Sequence, residues 1–168
     1  MRRVGRGARC AALAAHESVL AWIAIADALS PDGIPGELLA EALDPINEHL
    51  RVSAADAEWE PAQINSDMTI TYGLRDYALV SESEKWRADA MIAEAVSHFA
   101  GIKLLVLDRF DVLDLKGRED LLYWLDGMAG NGEIDTALIF GTLKSLPAQL
   151  LPSIDGFWLG SGVAGLAK

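Results

Sequence analysis

The residues of this chain best suited to chemistry fall in two stretches with a helix-length segment between them. The first is "LVSESEKWR" (Leu79–Arg87), where two serines alternate with two glutamates as a strand-like run gives way to a helical one. The second is "LLVLDRFDVLD" (Leu104–Asp114), four apolar residues and an aspartate followed by further acids. An aspartate closing a buried strand is suited to hold the water shell of Mg²⁺, because the dry strand fixes the carboxylate and the ion offsets its charge. The same placement also serves to cap the next turn. A serine opening a helix likewise has two uses. Ser81 is an N-cap, and Glu84, three residues on, completes a capping box. The same helix end, with free N–H groups and a positive dipole, attracts an anion such as phosphate. Both readings stand for Ser81 and are compatible.

The elements that must position these residues follow from periodicity and punctuation. Residues 8–29 read as one helix, with apolar residues too frequent for a single stripe, so both faces are expected to be covered. "SPDGIPGE" (Ser30–Glu37) is a turn, a short helix starts near Pro35, and Asp44-Pro45 reads as an N-cap and first helical residue opening another, to about Leu50. Met68–Tyr72 and Tyr77–Val80, separated by Gly73–Asp76, read as a hairpin. A helix is expected over 81–99, then a strand buried on both faces over Ile102–Leu107, a helix over Gly117–Met128, a strand over Thr136–Gly141, a short helix around Leu146–Leu151 and a strand over Gly156–Gly160. Alternation of helix and strand from Ser81 onward argues for an α/β fold with a mainly parallel sheet. Ligands of such sheets bind beyond the carboxyl ends of the strands, which singles out Asp108–Asp114 and Gly141–Lys144.

Composition bounds the answer. The 168 residues are about one domain's worth, and 51% are hydrophobic, enough for a core. The single cysteine, Cys10, excludes an internal disulfide and suits a cytoplasmic setting. The basic, alanine-rich start has the outline of a signal peptide, but Glu17 follows quickly and no clear cleavage site appears. No apolar run is expected to reach the roughly 20 residues of a membrane helix, since His16, Glu17 and Asp27 interrupt Ala11–Leu29. Net charge is −11; the first nine residues carry four arginines and no acid, which leaves ten basic against 25 acidic residues over 10–168, a net of −15. Such a body is a poor nucleic-acid surface by itself. His16, His49 and His98 are far apart and show no metal-ligand spacing. The tryptophans Trp22, Trp59, Trp124 and Trp158 read as core or lobe-interface residues.

"LLVLD" has the Walker B form, and its context resembles ABC-type ATPases. Val80, Ser81, Glu82, Ser83, Glu84 and Lys85 fall on the Leu-Ser-Gly-Gly-Gln/Glu signature and the lysine after it; "DVLDLKGREDLL" (Asp111–Leu122) resembles the D-loop and its helix, with Asp114 on the D-loop aspartate; "TALIFGT" (Thr136–Thr142) looks like the strand into the switch loop. Over about Ala15–Trp158 the chain resembles the C-terminal lobe of an SMC/RecF-type ATPase head, nearest in form to small phage and bacterial AAA-family coiled-coil ATPases. The resemblance implies a three-layer partial P-loop ATPase lobe, with a β-hairpin before the signature helix and a helical arm remnant over residues 1–34, the lobe itself being 35–168. It implies ATP and Mg²⁺ as cofactors. Ser81, with Ser83 and Glu84, would meet the γ-phosphate of an opposite head, Asp108 would position Mg²⁺, Asp114 would couple the heads, and Thr142 would stand in the switch region. Its partners would be a Walker A lobe (in the same or a separate chain) and a second head, with DNA met only by the assembled complex and no membrane.

The pattern departs from that family at four points. No Walker A motif is present, so an ATP site is complete only with another lobe. Arg109 follows the Walker B aspartate where glutamate is usual, and arginine cannot act as a general base; Asp111 is the fallback for orienting water. Glu82 replaces the first signature glycine, and no switch histidine follows Phe140. The expectation is thus an ATPase half-head of DNA repair or recombination, inactive alone. The alternative is a non-catalytic interaction module that keeps the dimer surface and has lost turnover.

Overall fold

The computed structural model describes residues 4–144, 150–160 and 163–167. They form two compact units, Met1–Asp44 with Asn65–Met68, and Pro45–Ile64 with Thr69–Lys168. The expected division at residues 34–35 falls at the first residues of a helix.

In the first unit, α1 (Val4–Ala28) is longer than expected. Its described side chains are exposed except at Ala28, with Trp22 at 67%, so its faces are not covered as the sequence suggested. The stretch Gly7–Ala28 is also long and apolar enough to cross a membrane by length and composition, which corrects the expectation that no segment reaches that standard.

The two short helices expected around Asp44-Pro45 are one helix, α2 (Ile34–Asp56), with Pro45 inside it. Proline has no N–H to give the carbonyl of Glu41, which is why the pair resembled a helix start. Good helix formers on both sides carry the helix through, and the boundary between the units coincides with the missing bond.

Within the second unit, β1 (Ala62–Ile64), β2 (Ile70–Tyr72) and β3 (Arg75–Asp76) form an antiparallel sheet. The second arm of the expected hairpin stops early. The Asp76 carboxylate accepts the Ala78 N–H at 2.9 Å and turns Tyr77–Leu79 into a 3₁₀ turn. Helix α3 (Glu82–Ala100) follows and ends at Gly101, which takes the left-handed conformation required of a C-cap.

Strand β4 (Leu104–Leu107) pairs in parallel with β5 (Thr136–Ile139), and α4 (Leu115–Asn131) connects them. Among the described residues, parallel pairing is confined to these two strands. The strand expected at Gly156–Gly160 is present as β6 but pairs antiparallel with β7 (Val163–Ala167), as a separate hairpin rather than a third parallel strand. The expected helix at Leu146–Leu151 lies mostly outside the described residues, and its last two are not helical.

Burial along β4 alternates. Leu105 and Leu107 are 2% and 6% exposed and join a core with Met91, Leu113, Leu121 and Trp124. Leu104 and Val106 face outward at 44% and 54%. The strand is therefore covered on one face, not two as its apolar run suggested. Trp59 and Trp124 are core residues with ring centroids 5.4 Å apart, whereas Trp158 remains 39% exposed.

Candidate functional site

The two stretches singled out above meet at one rim of the second unit. α3 packs on β4 and runs back against it, so its amino end lies by the strand's carboxyl end. The indole of Trp86 donates from Nε1 to the backbone carbonyl of Asp108 at 2.6 Å and ties the two together. Arg109 and Glu82, one from each stretch, stand 4.0 Å apart; both are about two-thirds exposed, so the pair itself stabilises little.

Ser81 is the N-cap of α3 and is exposed. Its Oγ accepts the Glu84 N–H at 3.4 Å and donates to Glu84 Oε2 at 2.8 Å, while the Ser81 N–H donates to the same oxygen at 2.8 Å. Ser83 Oγ lies 3.3 Å from Ser81 Oγ. The capping box read from the sequence is thus present. Arg75 also pairs with Glu84; this bond, and the Ser81 backbone and hydroxyl bonds after it, hold the Glu84 carboxyl down at about 2. Glu84 is therefore a firmly ionised anchor of the helix end rather than a group free for a ligand.

Asp108 is exposed directly beyond β4, and its Oδ1 accepts the N–H of Arg109 at 2.7 Å. Arg109 sits at φ 59°, in the left-handed region, and starts the 3₁₀ turn Phe110–Val112. The Asp111 carboxylate accepts the Thr142 N–H at 3.1 Å, the first cause of its lowered pKa. This bond joins the loop after β4 to the loop after β5. Gly141 permits the approach, since a Cβ there would lie 2.9 Å from Phe110 Cβ. Asp111, expected to orient water, is therefore already engaged within the protein.

Asp114 caps α4 by accepting the Gly117 N–H at 2.8 Å, and Arg87 reaches it at 3.4 Å. A side chain at position 117 would collide with that guanidinium, with its Cβ 2.5 Å from Arg87 Nη2. A polar cleft of about 380 Å³ opens beside Asp114, lined by Glu58, Glu60, Glu84, Arg87, Lys116 and Asp120 among others. The structure thus brings Ser81, Ser83, Glu84, Asp108 and Arg109 to one rim, sets Asp111 and Thr142 on its adjoining loops, and gives Asp114 a capping role.

The sequence reading missed one cluster in the same unit. His49 from α2 and Glu94 and His98 from α3 converge, with their ligand atoms within 4.8 Å of one another. These two histidines are therefore not isolated, contrary to expectation. Glu94 and His98 are spaced one helical turn apart, a visible signal, but their partner lies 45 residues before Glu94 on another helix.

No family model matches the chain, and no curated protein matches it.

Proposed function

We propose that this chain is the signature and Walker B half of an SMC/RecF-like ATPase head, acting in DNA repair or recombination. A Walker A lobe, in the same or a separate polypeptide, completes its ATP and Mg²⁺ site. The observation that carries the reading is the shared rim: an exposed, capped helix end at Ser81 beside an exposed carboxylate at Asp108, joined through Trp86. That arrangement suits a polyanion and a hard cation held together. Ser81 and the N–H groups after it would contact the γ-phosphate of the opposite head, Asp108 would hold the magnesium water shell, and Asp114 would couple the heads. Glu82 beside Arg109 has its repulsion toward phosphate reduced. Mg·ATP bound there would supply the phosphoryl group, which Ser81 and the amino end of α3 would orient while Asp108 held the ion's water shell.

The bare face of the parallel sheet supports a further lobe. Leu104, Val106 and Leu138 are each about half exposed, and Val106 and Leu138 are registered partners, so their side chains share a face. Association with DNA would belong to the assembled protein, given the acidity of residues 10–168.

A second reading, an interaction module without turnover, is favoured by the loop after β4. Arg109 stands where a general base is needed, and Asp111 is held by Thr142. The test mixes the chain with a Walker A-bearing lobe of this ATPase class and measures ATP hydrolysis. Turnover that disappears with Asp108→Asn and with Ser81→Arg supports the catalytic reading. A stable complex without turnover supports the module, and turnover indifferent to both substitutions refutes the assignment of this rim.

A further inference from the structure

We propose that His49, Glu94 and His98 bind a divalent transition-metal ion, zinc by the chemistry of the donors, and that the ion clasps the second half of α2 to α3. Two imidazoles and a carboxylate are a ligand set suited to zinc that leaves a fourth position open to water. The site is separate from the nucleotide rim. Glu94 lies thirteen residues along α3 from Ser81, about 20 Å at the helical rise.

The geometry is close to what an ion needs. His49 Nε2 faces both carboxylate oxygens of Glu94, at 2.8 and 3.0 Å. The rings of His49 and His98 are stacked with centroids 4.1 Å apart and 27° between planes. Tetrahedral zinc at about 2.0–2.1 Å from each donor sets donors about 3.3–3.4 Å apart. His49 and Glu94 need only separate slightly, and the exposed His98 has room to turn inward. The proton shared by His49 and Glu94 leaves to solvent as the ion takes its place.

The surroundings supply outer support. Glu94 is 2% exposed, so its charge requires a permanent partner. Ser53 Oγ donates to Glu94 Oε2 at 3.3 Å and helps fix the carboxylate. Phe99 stands edge-on to both imidazoles, at 5.6 and 5.2 Å, and makes an apolar wall. The His49–Glu94 pair alone would balance the buried charge. The third donor, one turn along α3 and stacked on the first imidazole, is what an ion explains and an ion pair does not.

The experiment titrates the full chain, without nucleotide, with Zn²⁺ by calorimetry and with Co²⁺ by visible absorption. One equivalent is expected to bind, Co²⁺ should show the intense bands of a low-coordinate site, and Zn²⁺ should raise the melting temperature. His98→Ala removes an exposed donor and leaves the far-UV spectrum unchanged, yet weakens binding roughly 100-fold or more. Glu94→Gln is expected to abolish the cobalt bands. His16→Ala and Cys10→Ser leave binding intact, since both residues lie outside the cluster. No binding by the native chain, equal binding by His98→Ala, or loss with either control substitution overturns the proposal. None of these outcomes depends on ATP, so the assignment of the rim is tested separately.

Discussion

Replacing Ser81 by alanine separates the two uses of the helix end. The structure sets the expected cost. The hydroxyl accepts the Glu84 N–H over a long 3.4 Å and donates to Glu84 Oε2 at 2.8 Å. The Ser81 backbone N–H, which alanine keeps, also holds Glu84 at 2.8 Å. Half of the box therefore survives, and the lost half includes a weak bond at an exposed site. The cost should fall near the low end for N-caps, about 0.5–1 kcal/mol. With a urea slope of about 2 kcal/mol/M, the midpoint followed by far-UV circular dichroism should fall by about 0.3–0.5 M. Ser81→Asn should restore it, because an amide both caps and donates to Glu84. A loss above about 2 kcal/mol, or failure of asparagine to restore the midpoint, would refute the view that capping is Ser81's whole contribution to the isolated chain.

Two further outcomes follow from the same geometry. Glu84 is held down at about 2, first by Arg75 and then by Ser81, so its folded pKa lies below the unfolded carboxylate value; its contribution should be complete above about pH 4.5 and fade as pH falls toward 2, and Glu84→Gln should flatten that acid limb of a stability–pH curve. Val106→Lys places a charge on an exposed strand position and should change the isolated chain's midpoint by less than about 1 kcal/mol, while abolishing co-elution with a complementing lobe; unimpaired co-elution would show that the bare face is not the surface used.

What was legible in the sequence was local. The Ser-Glu-Ser-Glu run carried its own capping chemistry, and Ser81 and Glu84 make the bonds that three-residue spacing implied. The apolar run before Asp108 gave the strand, which the structure starts at Leu104. What was not legible depended on residues distant in the chain. Pro45 looked like a helix start because a missing N–H has the same signature at a beginning and in an interior. Tyr77–Val80 has strand composition, but one aspartate before it redirects the backbone. β6 looked like a third parallel strand because periodicity does not say which neighbour a strand takes. His49 could be joined to Glu94 and His98 only once the packing of two helices was known.

The catalytic and non-catalytic readings part at the loop after β4, and the energies involved bear on the choice. In the isolated chain Asp108 turns one oxygen to the Arg109 N–H, and Asp111 turns one to the Thr142 N–H. Each carboxylate keeps its second oxygen, so these bonds orient the two groups without occupying them fully. A left-handed arginine adds strain of order 1–2 kcal/mol, which release of the loop would relieve. Under the catalytic reading the obstacle to turnover is partly chemical, since Arg109 cannot take a proton from water, and partly conformational, since the Thr142 N–H already engages one oxygen of Asp111. On the proposed reading that combination favours slow over fast hydrolysis, and turnover measured with a Walker A-bearing lobe separates it from the non-catalytic module.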